Sequence, residues 1–310
     1  MITDLKPVRT PLITHRDLDR LVGGKVFIKP EVLQLTGSFK IRGAAAALRD
    51  LAATGTLDKG VVTYSSGNHG RAISYAAACY GVPAHIVLPK TAPRFKVARI
   101  QALGATIVFH DPSSEDRAQV ARDLAAATGA TLIPPYDDHR IMEGQGTVAL
   151  ELIEQAEVDD IIVPVGGGGL LAGCALAARG VGSRAVLSGA EPHAIPKTQQ
   201  SLAAGRRISV SPGLTIADAQ LATTPGTLTF PVIQRLVRNI ILVTDHQIQE
   251  AMRFAFDELK LVCEPSGASA LAALMSAPER YASRRVGVVL SGGNIAPDQF
   301  AVTAGLVPAS

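Results

Sequence analysis

The sequence predicts an α/β fold of open, twisted, mostly parallel sheets flanked by helices, and three observations carry that prediction. Short apolar runs alternate with longer Ala-rich helical stretches along the whole chain. The runs are continuously apolar, as expected of strands covered on both faces. Polar glycine-rich turns follow three of them, at strand ends where open α/β sheets bind ligands.

In chain order, strand 26–29 precedes a small-residue helix at 43–53. Strand 61–64 ends in SSGNHG and opens helix 69–79. Strands 85–88 and 106–109 lead to helices 94–103 and 115–128. Helix 147–156 precedes strand 161–165, which ends in four glycines and opens helix 170–179. Strands 185–190 and 241–243, helices 246–260 and 267–275, and strand 286–290 complete the pattern. With no Pro/Ser-rich linker in view, a second domain is expected as an insertion. A small α/β domain is placed at 60–137, inside a large domain of 1–59 and 138–310.

Composition excludes several functions. The 310 residues are 47 % hydrophobic and 18 % charged, enough for a core and unlike a disordered chain. Net charge is +3 without a basic tract, and aromatics are 4 %, so nucleic acid is not an expected partner. Cys79, Cys174 and Cys263 are odd in number and far apart, which argues against a disulfide framework or a cysteine metal site. The polar N-terminus and the absence of a run of roughly 18 apolar residues argue against membrane insertion. A cytoplasmic protein is expected.

Gly166–Gly169 between an apolar strand and an Ala/Leu helix reads as an anion cradle. Bare backbone approaches a phosphate closely, and the helix adds its positive end. No Gly-Lys-Ser/Thr follows, so it is not a Walker loop, and the first strand–helix turn lacks GxGxxG. Lys40, just before a helix start, stands where a cation is disfavoured, which lowers its pKa and favours a nucleophilic amine.

SFKIRGA around Lys40, SSGNHG at 65–70, GGGGLLAG at 166–173 and SGGN at 291–294 occur in this order. Together they resemble the fold-type II (tryptophan synthase β-like) pyridoxal-phosphate enzymes, nearest to the serine racemase and threonine/serine dehydratase branch. The likeness runs from about Thr10 to Leu306. It implies pyridoxal 5'-phosphate as cofactor, an amino acid as substrate, and a homodimer.

By this resemblance Lys40 forms the Schiff base and shuttles the substrate Cα proton. Gly166, Gly167, Gly168 and Gly169, with the Leu170 amide, hold the phosphate. Asn68 partners the 3′-oxygen, Ser291 the ring nitrogen, and Phe39 packs beside the ring. A hydroxyl on that nitrogen makes a weaker electron sink than a carboxylate, which suits β-elimination. Ser65, Ser66, Asn68 and His69 take the substrate carboxylate. Ser66 matches the second proton carrier of racemases, and it also reads as a helix N-cap.

The expected activity is dehydration of L-threonine or L-serine to a 2-oxo acid and ammonia. The alternatives are a serine or aspartate racemase, or a dehydratase of threo-3-hydroxyaspartate or of a hydroxyectoine-pathway substrate. A binding protein without turnover is a further class, against which Lys40 argues.

Some residues depart from the family pattern. Glu191 matches one metal ligand of metal-binding relatives, but Lys197 replaces another, and an ammonium cannot ligate a cation. Lys197 either pairs with Glu191, making a divalent metal dispensable, or points to solvent. Ala219 replaces a glycine on a loop facing the cofactor, and its Cβ restricts φ. Tyr136 stands where asparagine is common. Arg117 and Lys96 are expected on solvated helix faces.

Overall fold

The computed structural model describes residues 5–65, 67–92 and 94–307, with backbone alone for Phe95. It opens with α1 (Arg16–Val22), β1 (Lys25–Pro30) and α2 (Lys40–Ala53). Then come β2 (Val61–Tyr64), α3 (Asn68–Tyr80), β3 (Ala84–Pro89), α4 (Arg94–Gln101), β4 (Thr106–His110), α5 (Arg117–Thr128) and β5 (Thr131–Leu132). The chain returns through α6 (His139–Gln155), β6 (Asp160–Pro164), α7 (Gly169–Gly180), β7 (Val186–Pro192), α8 (Lys197–Ala204) and α9 (Thr229–Leu236). It ends with β8 (Asn239–Val243), α10 (Asp245–Asp257), α11 (Pro265–Ser276), β9 (Arg285–Leu290) and α12 (Pro297–Thr303).

Two parallel sheets result. One has the order β1-β9-β6-β7-β8 and the other β4-β3-β2-β5. Helices cover both faces of the larger sheet. Ile162, Val286 and Val288 pack into one buried cluster with α10 and α11, while Ile161, Val163 and Val289 pack into another with α6 and α7. Successive strand residues point to opposite faces, so a run buried on both sides is apolar throughout. At about 1.5–3 kcal/mol per buried aliphatic side chain, these layers are what hold the sheet between its helices. α2 packs against α6 and, through Ile41, Ala44, Leu48, Ile73 and Ile86, against α3 and the smaller sheet. The helix that begins with Lys40 therefore shares its core with the smaller sheet.

All eight expected strands are present, with ends shifted by a residue or two, and β5 adds a two-residue ninth among the described residues. Helix α6 starts at His139, well before the expected 147. Gly144 and Gly146 interrupt its helical pattern, but they lie where α6 meets its neighbours. A Cβ on Gly144 would come within 2.3 Å of the Arg42 carbonyl, and one on Gly146 within 2.6 Å of the Gly173 carbonyl. Tertiary packing overrides propensity there. Helices α1, α8, α9 and α12 are absent from the sequence expectation, being seven or eight residues each. Among the described residues no helix is long and apolar enough to cross a membrane.

Candidate active site

One cavity of about 600 Å³ lies at the carboxyl ends of β2, β6 and β9. Its wall includes Phe39, Lys40, Ser65, Asn68, His69, Gly166–Gly169, Leu170 and Ser291. Residues spread over more than two hundred positions are thus brought together. Ser66 lies outside the described residues.

The Lys40 segment is zipped to the SGGN turn. Ser38 and Gly292 form an antiparallel bridge, Phe39 N–H donates to the Ser291 carbonyl at 3.0 Å, and Gly293 N–H donates to the Gly37 carbonyl at 3.0 Å. Thr36 is held at φ 63, a costly conformation for a β-branched residue. The Asn294 amide, donating to the Thr36 carbonyl at 2.8 Å, helps to impose it. Behind this segment Arg42 donates to Glu31 and Glu151 at 2.7 Å each, and Lys29 donates to Glu151 at 2.7 Å. This buried ionic cluster ties the start of α2 to β1 and α6. Nothing in the sequence pattern marks it, because its members only meet in the fold.

Lys40 is the first residue of α2, and its Nζ donates to the Pro135 carbonyl at 2.6 Å. Burial pulls its pKa down to about 8, against the opposing pull of Glu264. The lowered amine pKa expected at this position is present, with burial as its cause. The Nζ stands 5.1 Å from the centroid of the Phe39 ring.

The four glycines form the turn into α7. Gly168 has φ +102, which only glycine adopts without strain. A Cβ on Gly167 would lie 2.4 Å from the Tyr136 ring, so a side chain has no room there. The Gly167 carbonyl accepts from Gly226 N–H at 3.1 Å and from Thr229 Oγ1 at 2.8 Å. A trans peptide points its N–H opposite to its carbonyl, so the Gly168 amide is turned away from those partners. A bare turn, a helix N-terminus and a partly buried primary amine in one cavity fit a phosphate-bearing aldehyde such as pyridoxal phosphate. Ser291, buried beside them, offers the hydroxyl expected for its ring nitrogen.

His69 is 1 % exposed, and burial with the neighbouring Lys40 drives its pKa down to about 3. It is neutral, with Nε2 3.3 Å from the Ile133 carbonyl. Its ring therefore brings no positive charge to a substrate carboxylate. Ser65 Oγ accepts from Gly67 N–H at 3.3 Å at the turn into α3.

The residues that depart from the family pattern take definite places. Of the two alternatives for Lys197, pairing with Glu191 is the one observed: its side chain is wholly buried and donates to Glu191 at 2.7 Å. Lys96 and Arg117, expected on solvated helix faces, both line the cavity: Lys96 is partly covered there, whereas Arg117 is exposed as expected. Lys96 donates to Asp218 at 2.9 Å, and Arg117 sits 5.7 Å from the Tyr64 ring centroid. Ala219 also lines the cavity, its N–H donating to Ser266 Oγ at 2.9 Å, and its φ is not in the left-handed region. Reading by motif missed Arg71, Arg99, Asp218 and Glu264, all on the same wall.

A family model described as "Pyridoxal-phosphate dependent enzyme" matches residues 4–292. An L-threo-3-hydroxyaspartate ammonia-lyase from Pseudomonas sp is 43 % identical over 294 residues, spanning 94 % of this chain and 92 % of that protein. Among solved structures, maize serine racemase is 42 % identical with a TM-score of 0.89, covering 94 % of this chain and 90 % of that one. Threonine deaminase isoform 2 from Solanum lycopersicum, in its processed form, is 31 % identical with a TM-score of 0.91, covering 98 % of this chain and 89 % of that one.

Proposed function

We propose a function from one premise, that the chain belongs to the pyridoxal-phosphate-dependent enzymes of fold type II: it is an ammonia-lyase that dehydrates a β-hydroxy amino acid. The observation that carries the proposal is Lys40, a partly buried amine with a pKa of about 8 in one cavity with the glycine turn.

Bound there, pyridoxal phosphate supplies an aldehyde for the substrate amine and a ring that withdraws electrons from the substrate Cα. The protein's own residues do the rest. Gly166–Gly169 and the start of α7 bind the phosphate, and Phe39 flanks the ring. Ser65 and the backbone N–H groups of the turn into α3 orient the substrate carboxylate. Lys40 Nζ, part neutral near physiological pH, takes the proton from Cα. The β-hydroxyl then leaves as water and a Cα–Cβ double bond forms. Tautomerisation and hydrolysis of the resulting enamine consume one water and give a 2-oxo acid and ammonia.

Within this class we favour a dicarboxylic substrate such as threo-3-hydroxyaspartate. Arg71, Lys96, Arg99 and Arg117 line the cavity against the carboxyls of Asp218 and Glu264. Burial pushes the Glu264 carboxyl toward its neutral form, so the wall is cationic and complements a second carboxylate. The Pseudomonas relative carries a name of that chemistry. The reading includes no divalent metal, supported by the Lys197 ammonium already seated on Glu191.

The test incubates the holoenzyme with L-serine, L-threonine and threo-3-hydroxyaspartate and measures 2-oxo acid, ammonia and D-enantiomer. Equimolar 2-oxo acid and ammonia, fastest from hydroxyaspartate, is expected. Formation of D-enantiomer without ammonia overturns the lyase reading.

A further inference from the structure

Glu264 stands at the N-cap position of α11, yet its carboxyl makes no hydrogen bond to its own helix. It is buried in the cavity wall, and Oε1 accepts from Asn68 Nδ2 at 2.5 Å. The other end of the same amide is also held. Asn68 Oδ1 accepts from Asn294 Nδ2 at 2.7 Å. Asn294 is fixed in turn, its Nδ2 donating to the Thr36 carbonyl at 2.8 Å and its Oδ1 accepting from Arg71.

This chain of bonds leaves Asn68 one orientation. Flipping the amide would set its Nδ2 against the Asn294 Nδ2, donor against donor, and Asn294 cannot turn to compensate because its Oδ1 is held by Arg71, so that bond would be lost in a partly buried site. In the observed orientation Nδ2 spends one hydrogen on Glu264 and keeps the second. The backbone makes room for the pair. A Cβ on Gly292 would come within 2.7 Å of Glu264 Oε1 and 3.3 Å of Asn68 Nδ2. A glycine of the SGGN turn thus serves this contact as well as the turn itself.

We propose that Glu264 is a positioning residue, whose carboxyl fixes the Asn68 amide so that its remaining N–H donates to an anionic oxygen on the bound cofactor ring. The inference rests on reading the cavity as a pyridoxal-phosphate site. Glu264 acts through Asn68 and need not touch the reacting atoms. The arrangement also joins the two sheets, because Asn68 opens α3 beside the smaller sheet while Glu264 and Asn294 belong to turns around the larger one.

The test uses wild type, Glu264→Gln, Glu264→Met, Asn68→Ala and the Asn68→Ala/Glu264→Met double variant. Two quantities are measured without substrate: the dissociation constant of pyridoxal phosphate and the visible absorption band of the bound cofactor. Methionine is close in volume, cannot accept the bond, and relieves the burial of a carboxyl, so the fold is kept. Glu264→Met is expected to weaken cofactor binding about tenfold, for the loss of one bond to a buried group, and to shift the band. Glu264→Gln, which keeps an acceptor, is expected to restore both. The double variant is expected to bind no more weakly than Asn68→Ala alone. Wild-type affinity and band in Glu264→Met, or additive losses in the double variant, overturn the proposal. A wild type that binds cofactor but leaves β-hydroxy amino acids unchanged defeats the lyase reading and leaves this inference standing.

Discussion

The Lys197 ammonium lies 2.7 Å from the Glu191 carboxylate, with neither side chain exposed. The same ammonium donates to the Val165 carbonyl at 3.3 Å, the residue just before the tetraglycine turn. Glu191 accepts further from Thr198 N–H at 3.0 Å and Gln199 N–H at 3.2 Å. Burial lowers the Lys197 pKa while Glu191 raises it, the balance expected of a tethered cation in a closed site. Lys197→Ala is expected to cost about 3–5 kcal/mol, because it leaves a buried carboxylate unpaired. Replacing both residues by apolar ones of similar volume is expected to cost far less. Denaturant unfolding of the three proteins checks this. Activity is expected to survive exhaustive chelation, and activation by Mg²⁺ or Ca²⁺ would sink the metal-free reading.

What the sequence reveals of this site depends on how local the signal is. Gly166–Gly169 and SGGN are legible because a strand, its turn and the next helix are contiguous, and the glycines report the close approach directly. Lys40 is legible as an amine in an unusual place, although the cause of its shifted pKa is burial, which a sequence does not display. Glu264 is not legible. Its partner Asn68 is 196 residues away, and on α11 it looks like an ordinary cap. Lys96 misleads for the same reason: it sits on a polar helix, and its partner Asp218 is 122 residues away.

Gly167→Ala is expected to damage the phosphate turn through one neighbour. The new Cβ would lie 2.4 Å from the Tyr136 ring, so the ring or the loop must move. Overpacking of this kind costs about 1–3 kcal/mol, which predicts cofactor affinity roughly 10- to 100-fold weaker. If the ring is the obstacle, Tyr136→Ala in the same chain should recover part of the loss. No recovery would mean that backbone conformation, not Tyr136, sets the requirement for glycine.

The cationic wall makes a prediction about substrate choice. Arg117→Ala is expected to lower kcat/KM for threo-3-hydroxyaspartate about 10- to 100-fold, the worth of one hydrogen bond to a charged group. For L-serine, which has no second carboxylate, the same change is expected to alter kcat/KM by less than about threefold. Lys96→Ala tests the neighbouring cation, which is shared with Asp218 at 2.9 Å, and its effect should be smaller. Equal losses for the two substrates would show that Arg117 supports the fold of the site and does not select the substrate.

The stability of the apoprotein is expected to pass through a minimum near pH 8, set by Glu264 and Lys40. Burial raises the Glu264 pKa from 4.5 to about 8. Between those values the unfolded chain has lost the proton and the folded one keeps it, so raising the pH favours unfolding by about 1.4 kcal/mol per unit. His69 works the other way, with its pKa lowered from 6.5 to about 3, so rising pH favours folding until 6.5. The two slopes oppose each other up to 6.5, and from there to 8 Glu264 alone remains, a fall of about 2 kcal/mol. Above pH 8 the sign reverses. Lys40, lowered from 10.5 to about 8, is then neutral when folded and charged when unfolded, so stability recovers from pH 8 until about pH 9, where the buried thiols of Cys174 and Cys263, held protonated in the folded chain, begin to oppose it. Thermal unfolding of the apoprotein from pH 5 to 10 checks the curve. Glu264→Gln should remove the fall between 6.5 and 8, and Lys40→Met should remove the recovery above 8 while lowering activity by roughly 10³-fold or more. An unchanged profile in both variants would mean that neither group holds its shifted proton in the folded protein.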